Sequence, residues 1–84
     1  MTRIGKLYEQ ALRRRSLSFA EFERLLRAFG FELDRITGSH HIYRHEMAPQ
    51  RLPVQPDGKN AKAYQVRQFL AMVDRYGLSL ATED

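Results

Sequence analysis

The apolar residues of this chain change their spacing at Gly30, and that change constrains the fold more than any other feature. Before it, Phe19, Phe22, Leu25, Leu26 and Phe29 recur at three and four residues, the period that gathers side chains on one helical face. Ser18 stands at the N-cap position. Glu21, three residues on, completes a capping box, in which each side chain satisfies the other residue's backbone amide. Gly30 supplies the C-terminal stop. After it, Phe31 and Leu33 alternate with Glu32 and Asp34, the period of a half-buried strand. A chain that passes from an amphipathic helix to a strand across one glycine is built to pack helix on sheet.

The flanking segments extend the same plan. Ile4, Leu7, Tyr8, Ala11 and Leu12 share one helical face, and Arg13, Arg14 and Arg15 place cations where a helix C-terminus favours them. Gly38-Ser39 forms a turn into a second strand around Ile42, Tyr43 and Arg44, followed by a loop over residues 46–50. Leu52 and Val54 mark a third short strand, and Pro53 between them lacks a backbone donor, so that strand lies at an edge or pairs only briefly. Pro56-Asp57-Gly58 reads as a turn. The last helix begins near Ala63, carries Val66, Phe69, Leu70 and Val73 on one face, and ends at Gly77. The expected fold is α+β: a three-stranded antiparallel sheet packed against helices on one face, with an extra N-terminal helix. The expected division is a single domain over residues 1–84, with an N-terminal extension at 1–17, a core at 18–78 and a tail at 79–84.

Size and composition narrow the chemistry. A chain of 84 residues buries only about 60% of the surface its unfolded form exposes, so a functional site belongs on an open face or shallow groove. No large cofactor is expected. Cysteine is absent, which excludes disulfides and thiolate metal sites and accords with a reducing compartment. No stretch approaches the roughly 20 apolar residues of a membrane span, and the N-terminus lacks the apolar core of a signal peptide. A cytoplasmic protein without membrane contact is expected. The formal net charge is +4 and the pI about 9.9. Such basicity favours polyanions, nucleic acid first, although an acidic protein partner satisfies the same charge.

All three histidines, His40, His41 and His45, fall within six positions. A metal is the first possibility. On a strand, His41 and His45 share a face but stand roughly 13 Å apart at about 3.3 Å per residue, too far for two ligands that each sit about 2 Å from one ion. No metal site is therefore expected. A nucleophilic triad fares no better, because cysteine is missing and the sequence specifies no acid for Ser39 and His40. Phosphate-binding and dinucleotide glycine motifs are absent.

What remains is a turn histidine in a basic protein. Histidine, with an unperturbed pKa of about 6.5, gives and takes protons at neutral pH. Cutting RNA needs a base for the 2′-hydroxyl proton, an acid for the leaving oxygen, and cations or amides for the phosphorane between them. Gly38 lets the backbone approach a phosphate, and Ser39 can hydrogen-bond it. Lys59 and Lys62 bracket the start of the last helix, whose N-terminus itself attracts phosphate. Arg44 and Arg51 are further phosphate candidates on neighbouring strands. Tyr43 suits either base stacking or packing. The competing readings are an exposed histidine without a task and a solvated basic loop.

The run Gly38-Ser39-His40-His41-Ile42-Tyr43-Arg44-His45 resembles the strand-turn signature of the HicA toxin family. It follows a helix, a glycine and an apolar strand at the distance that family shows, and Leu52 to Leu70 matches its order of strand, lysine-containing loop and helix. The resemblance covers roughly residues 18–78. It implies a fold similar to double-stranded RNA-binding domains, ribosome-independent cleavage of messenger RNA, and inhibition by a HicB-type antitoxin that covers the active site. It assigns the catalytic role to His40, the first histidine of the pair. Lys59-Asn60-Ala61-Lys62 resembles the lysine-rich helix start with which double-stranded RNA-binding domains grip phosphates. The sequence departs from the family pattern at Val54-Gln55-Pro56-Asp57, where many members carry a histidine, and at Tyr64-Gln65, where many have glycine-threonine.

The leading expectation is thus a toxin of a toxin-antitoxin system, a metal-independent endoribonuclease with His40 as general acid or base. Gly38, Ser39, His41, Arg44, Lys59 and Lys62 are its expected RNA contacts, and it needs no cofactor. The alternative is a non-catalytic RNA-binding module of the same fold. A third reading is a protein-interaction domain whose basic face meets an acidic partner.

Overall fold

The computed structural model describes residues 3–13 and 16–81. Its elements are α1 (Arg3–Leu12), α2 (Phe19–Ala28), β1 (Glu32–Thr37), β2 (His40–Arg44), β3 (Leu52–Val54), β4 (Pro56–Asp57), β5 (Asn60–Ala61) and α3 (Ala63–Tyr76). β1, β2 and β3 form an antiparallel sheet in that order. The architecture is the α+β arrangement expected, compatible with a double-stranded RNA-binding-domain-like fold.

α2 starts as its sequence requires. The Glu21 amide donates to Ser18 Oγ at 3.0 Å and the Ser18 amide to Glu21 Oε1 at 2.9 Å. A cap of this kind contributes about 1 kcal/mol. The helix stops at Gly30, which adopts φ +91°. A Cβ there would meet His45 Nε2 at 3.1 Å, so both backbone and space call for glycine. Pro53 lies in an edge strand, which spares the sheet a missing donor.

The core lies between sheet and helices. Phe22, Leu25 and Leu26 from α2, Phe69 from α3, and Tyr43 and Val54 from the sheet are fully buried. Phe69 meets Phe22 and Phe29 edge-on at 5.9 and 5.2 Å between ring centres, the geometry that aromatic quadrupoles favour. α1 adds Ile4, Leu7 and Ala11 to the same core, so the N-terminal segment is a further layer upon it. Leu12, expected on that stripe, is 54% exposed and borders an open groove with Leu17, Ala61, Val66 and Leu70. Arg13 pairs with Glu9 at 2.9 Å one turn back, while Arg14 and Arg15 lie outside the described residues. Part of the expected tail is docked. Leu80 packs on the core and the Ala81 amide donates to the Ala28 carbonyl at 2.6 Å; residues 82–84 lie outside the described residues.

Two local features differ from the sequence reading. In β1 the simple alternation fails: Leu33 pairs with Tyr43 but Arg35 pairs with Ile42, leaving Asp34 as a bulge. A bulge reverses the parity of every residue after it, so Ile36, not Arg35, shares a face with His41. Both Leu33 and Ile36 stay exposed, at 40% and 56%, in this edge strand. The second difference is at Pro56-Asp57-Gly58, where a miniature hairpin stands instead of a bare turn. β4 pairs with β5 around Gly58 and Lys59. Leu17 to Phe19 dock along β5, with the Ala61 amide donating to the Leu17 carbonyl at 3.0 Å and the Phe19 amide to the Lys59 carbonyl at 2.8 Å.

Candidate functional site

β2 runs out of the Gly38-Ser39 turn and presents its two histidines to opposite faces, because consecutive strand residues alternate. His40 pairs with Thr37 and is exposed on the open face, in line with Ile42 and Arg44. Among the described residues its ring meets no hydrogen-bond partner. Gly38 takes φ +60° to make the turn, and the space where its side chain would stand is open. The turn therefore offers unobstructed backbone beside His40.

His41 faces the helices and has a defined setting. It pairs with Ile36 on one side and Val54 on the other, and Phe19 meets its ring edge-on at 5.1 Å. Its Nδ1 lies 3.0 Å from Glu23 Oε2. The same oxygen accepts the Tyr43 hydroxyl at 2.6 Å. Burial, followed by the hydrogen bond to Glu23, pushes the Tyr43 phenol well above its ordinary range, so it remains a donor. Arg27 lies 5.9 Å over the Tyr43 ring and supplies the nearby positive charge. With Tyr43 donating, the Glu23 oxygen accepts, and the His41 Nδ1 hydrogen completes its second bond. In the tautomer with its hydrogen on Nδ1, the His41 lone pair lies on Nε2.

His45 is a structural group. The Met47 amide donates to its Nδ1 at 3.0 Å, so Nε2 carries the ring hydrogen and donates to the Phe29 carbonyl at 2.8 Å. Its ring also packs edge-on against Phe31, 5.0 Å between centres. Both nitrogens are occupied in holding the chain around Gly30. The structure thus gives the three histidines three settings: one open, one oriented by a carboxylate, one built into the fold. No group of three or more histidine, cysteine, aspartate or glutamate residues among the described residues is placed to hold a metal.

The basic candidates divide by position. Lys59 is exposed at the tip of the β4–β5 hairpin, and its carbonyl holds the Phe19 amide, which places this tip beside the N-terminus of α2. Lys62 is the N-cap of α3 and makes no capping bond with its side chain. Among the described residues neither ammonium has an ion-pair partner. Arg44 sits on the open face, 3.6 Å from Glu32 in an exposed pair, and such pairs hold side chains weakly. Arg51 reaches Asp34 at 3.3 Å. Gln65 is buried and accepts the Gln55 amide at 3.0 Å, so it ties α3 to the strand end beside His41.

Glu23 is the participant that the sequence reading passed over. Its signal is present but faint: it falls four residues after Phe19 and three before Leu26, at the margin of the apolar stripe of α2. A carboxylate in that position needs donors from the facing sheet, and Tyr43 and His41 are those donors.

Comparison with known proteins agrees with the resemblance seen in the sequence. Among the described residues, no helix is long and apolar enough to cross a membrane. No curated protein and no solved structure matches the chain. A family model described as the HicA toxin of bacterial toxin-antitoxin systems matches residues 19–73. That span runs from the start of α2 through β1, β2 and β3 into α3, and so takes in the histidine turn, Glu23 and both lysines. The match covers more than half of the 84 residues, and the chain belongs to the HicA toxin family of bacterial toxin-antitoxin systems.

Proposed function

We propose that this toxin is a metal-independent endoribonuclease acting on messenger RNA, with His40 as a general acid or base. The observation that carries the reading is the setting of His40. It is an exposed imidazole with no hydrogen-bond partner among the described residues, beside a glycine turn with open space where the Gly38 side chain would stand. In the reaction, a base takes the 2′-hydroxyl proton, the oxygen attacks phosphorus, and the leaving 5′-oxygen receives a proton. Gly38, Ser39 and His41 border the reacting phosphate. Arg44, Lys59 and Lys62 hold neighbouring phosphates by charge, as a net charge of +4 favours. A HicB-type antitoxin is the proposed inhibitory partner, and the cytoplasm, where messenger RNA is translated, the proposed site of action.

One observation favours the alternative of an RNA-binding module without catalysis. The chain reads Val54-Gln55-Pro56-Asp57 where the resemblance leads one to expect a histidine just after the third strand. Expression in a bacterial host separates the two readings. The ribonuclease reading expects growth arrest with loss of messenger RNA, abolished by His40→Ala; binding alone leaves messenger RNA intact.

A further inference from the structure

We propose that His41, oriented by Glu23, is a second catalytic proton carrier of this site, acting as the general base. The inference rests on the ribonuclease reading and supplies the group that reading leaves unnamed. Its basis is the arrangement of β2 and α2. Glu23 Oε2 lies 3.0 Å from His41 Nδ1 and accepts the buried Tyr43 hydroxyl at 2.6 Å. A carboxylate bound to one ring nitrogen fixes the tautomer and aims the other nitrogen outward as an acceptor. Phe19, edge-on to the ring, limits its rotation. The His41 side chain is 26% exposed and that of Glu23 16%, so the imidazole keeps contact with solvent while its carboxylate is more shielded. His41 thus has the orienting contacts that His40 lacks.

Opposed faces suit the chemistry. In-line displacement places the attacking 2′-oxygen and the leaving 5′-oxygen on opposite sides of phosphorus, so base and acid must approach from opposite sides. His40 and His41, pointing to the two faces of β2, meet one phosphodiester only where it crosses the end of the sheet at the Gly38-Ser39 turn. Among the described residues no atom lies within 4 Å of where a Gly38 side chain would stand, so the turn at that end of the sheet is uncrowded. His41 Nε2 takes the 2′-hydroxyl proton, the 2′-oxygen bonds to phosphorus, the bond to the 5′-oxygen breaks, and His40 protonates that oxygen. The products are a 2′,3′-cyclic phosphate and a 5′-hydroxyl, with no other reactant consumed. Glu23 is a positioning residue.

The experiment is cleavage of a single-stranded RNA by the purified full-length protein, with chelator present, read as kcat/KM from pH 5 to 9. Among the described residues, Glu23 of α2 faces His41 directly and Tyr43 of β2 shares its carboxylate oxygen; Arg27 lies over the Tyr43 ring, the Lys59 backbone holds Phe19, His40 precedes His41 on β2, and Ile36 and Val54 flank it from β1 and β3. His41→Ala should lower the rate by about 100-fold or more and flatten the acidic limb of the profile. His40→Ala should flatten the alkaline limb. His41→Asn keeps a donor toward Glu23 but cannot carry the proton, so it should fold normally by circular dichroism and remain as inactive as His41→Ala. Glu23→Gln should lose at least ~10-fold with the fold intact. Recovery of cleavage in His41→Asn, or a native profile in His41→Ala, would overturn the proposal while leaving the ribonuclease reading standing. A native protein that binds the RNA and never cuts it would overturn both.

Discussion

Replacing Tyr43 by phenylalanine isolates the polar link between α2 and the sheet. Tyr43 is fully buried, and its hydroxyl donates to Glu23 at 2.6 Å. Phenylalanine keeps the ring in place and opens no sizeable cavity, so the loss is that of one hydrogen bond to a charged group. Such bonds contribute about 1.5–3 kcal/mol. Glu23 retains His41 and some solvent contact, which points to a cost of about 2 kcal/mol. Urea unfolding at pH 7 measures it as a lower midpoint at unchanged slope. High pH adds a signature with a definite sign. The folded-state pKa of Tyr43 lies above the unfolded value of 10.0. Above that value the unfolded chain loses a proton that the folded chain keeps, so this contribution is complete below pH 10 and falls as pH rises. The slope is at most about 1.4 kcal/mol per pH unit. Tyr43→Phe lacks this term, and lysine titration is common to both proteins. The stability gap between them should therefore narrow above pH 10. A gap below about 0.5 kcal/mol at neutral pH, or one that stays constant into alkali, would refute this account of the Tyr43–Glu23 link.

Other expectations follow from the same structure. Gly30→Ala should destabilise the protein by about 1–3 kcal/mol, since it forces a side chain at φ +91° against the His45 ring; thermal melting checks this, and an unchanged melting temperature would contradict it. Lys59→Ala and Lys62→Ala should each weaken RNA binding across sequences and reduce the salt dependence of affinity by about one phosphate contact. Titration over a range of salt concentrations measures both effects, and unaltered slopes would remove the lysines from the interface.

Much of the fold was legible because local signals and tertiary demands coincide. The capping box at Ser18 and Glu21 and the stop at Gly30 each solve a backbone problem on the spot, so they stand in the sequence as in the structure. The β1 bulge was not legible. Asp34 reads as an ordinary outward residue of an alternating strand, and only its pairing with β2 reveals the extra residue and the reversed face of Ile36. The β4–β5 hairpin was hidden for a similar reason: two-residue strands carry no period, and theirs depends on Leu17 to Phe19 docking alongside. At the candidate site, the histidine pair and the lysines stood out by residue type and spacing. Glu23 did not, because its partners lie 18 and 20 residues away and the contact exists only once α2 rests on the sheet.

Incubation of purified native protein with RNA in the presence of a chelator, beside His40→Ala, tests the central claim most directly. The account predicts cleavage by the native chain without added metal, and none by a His40→Ala variant that keeps the native fold and still binds RNA. Equal cleavage by the two would contradict the role given to His40, and cleavage only after metal is restored would contradict the metal-independent chemistry.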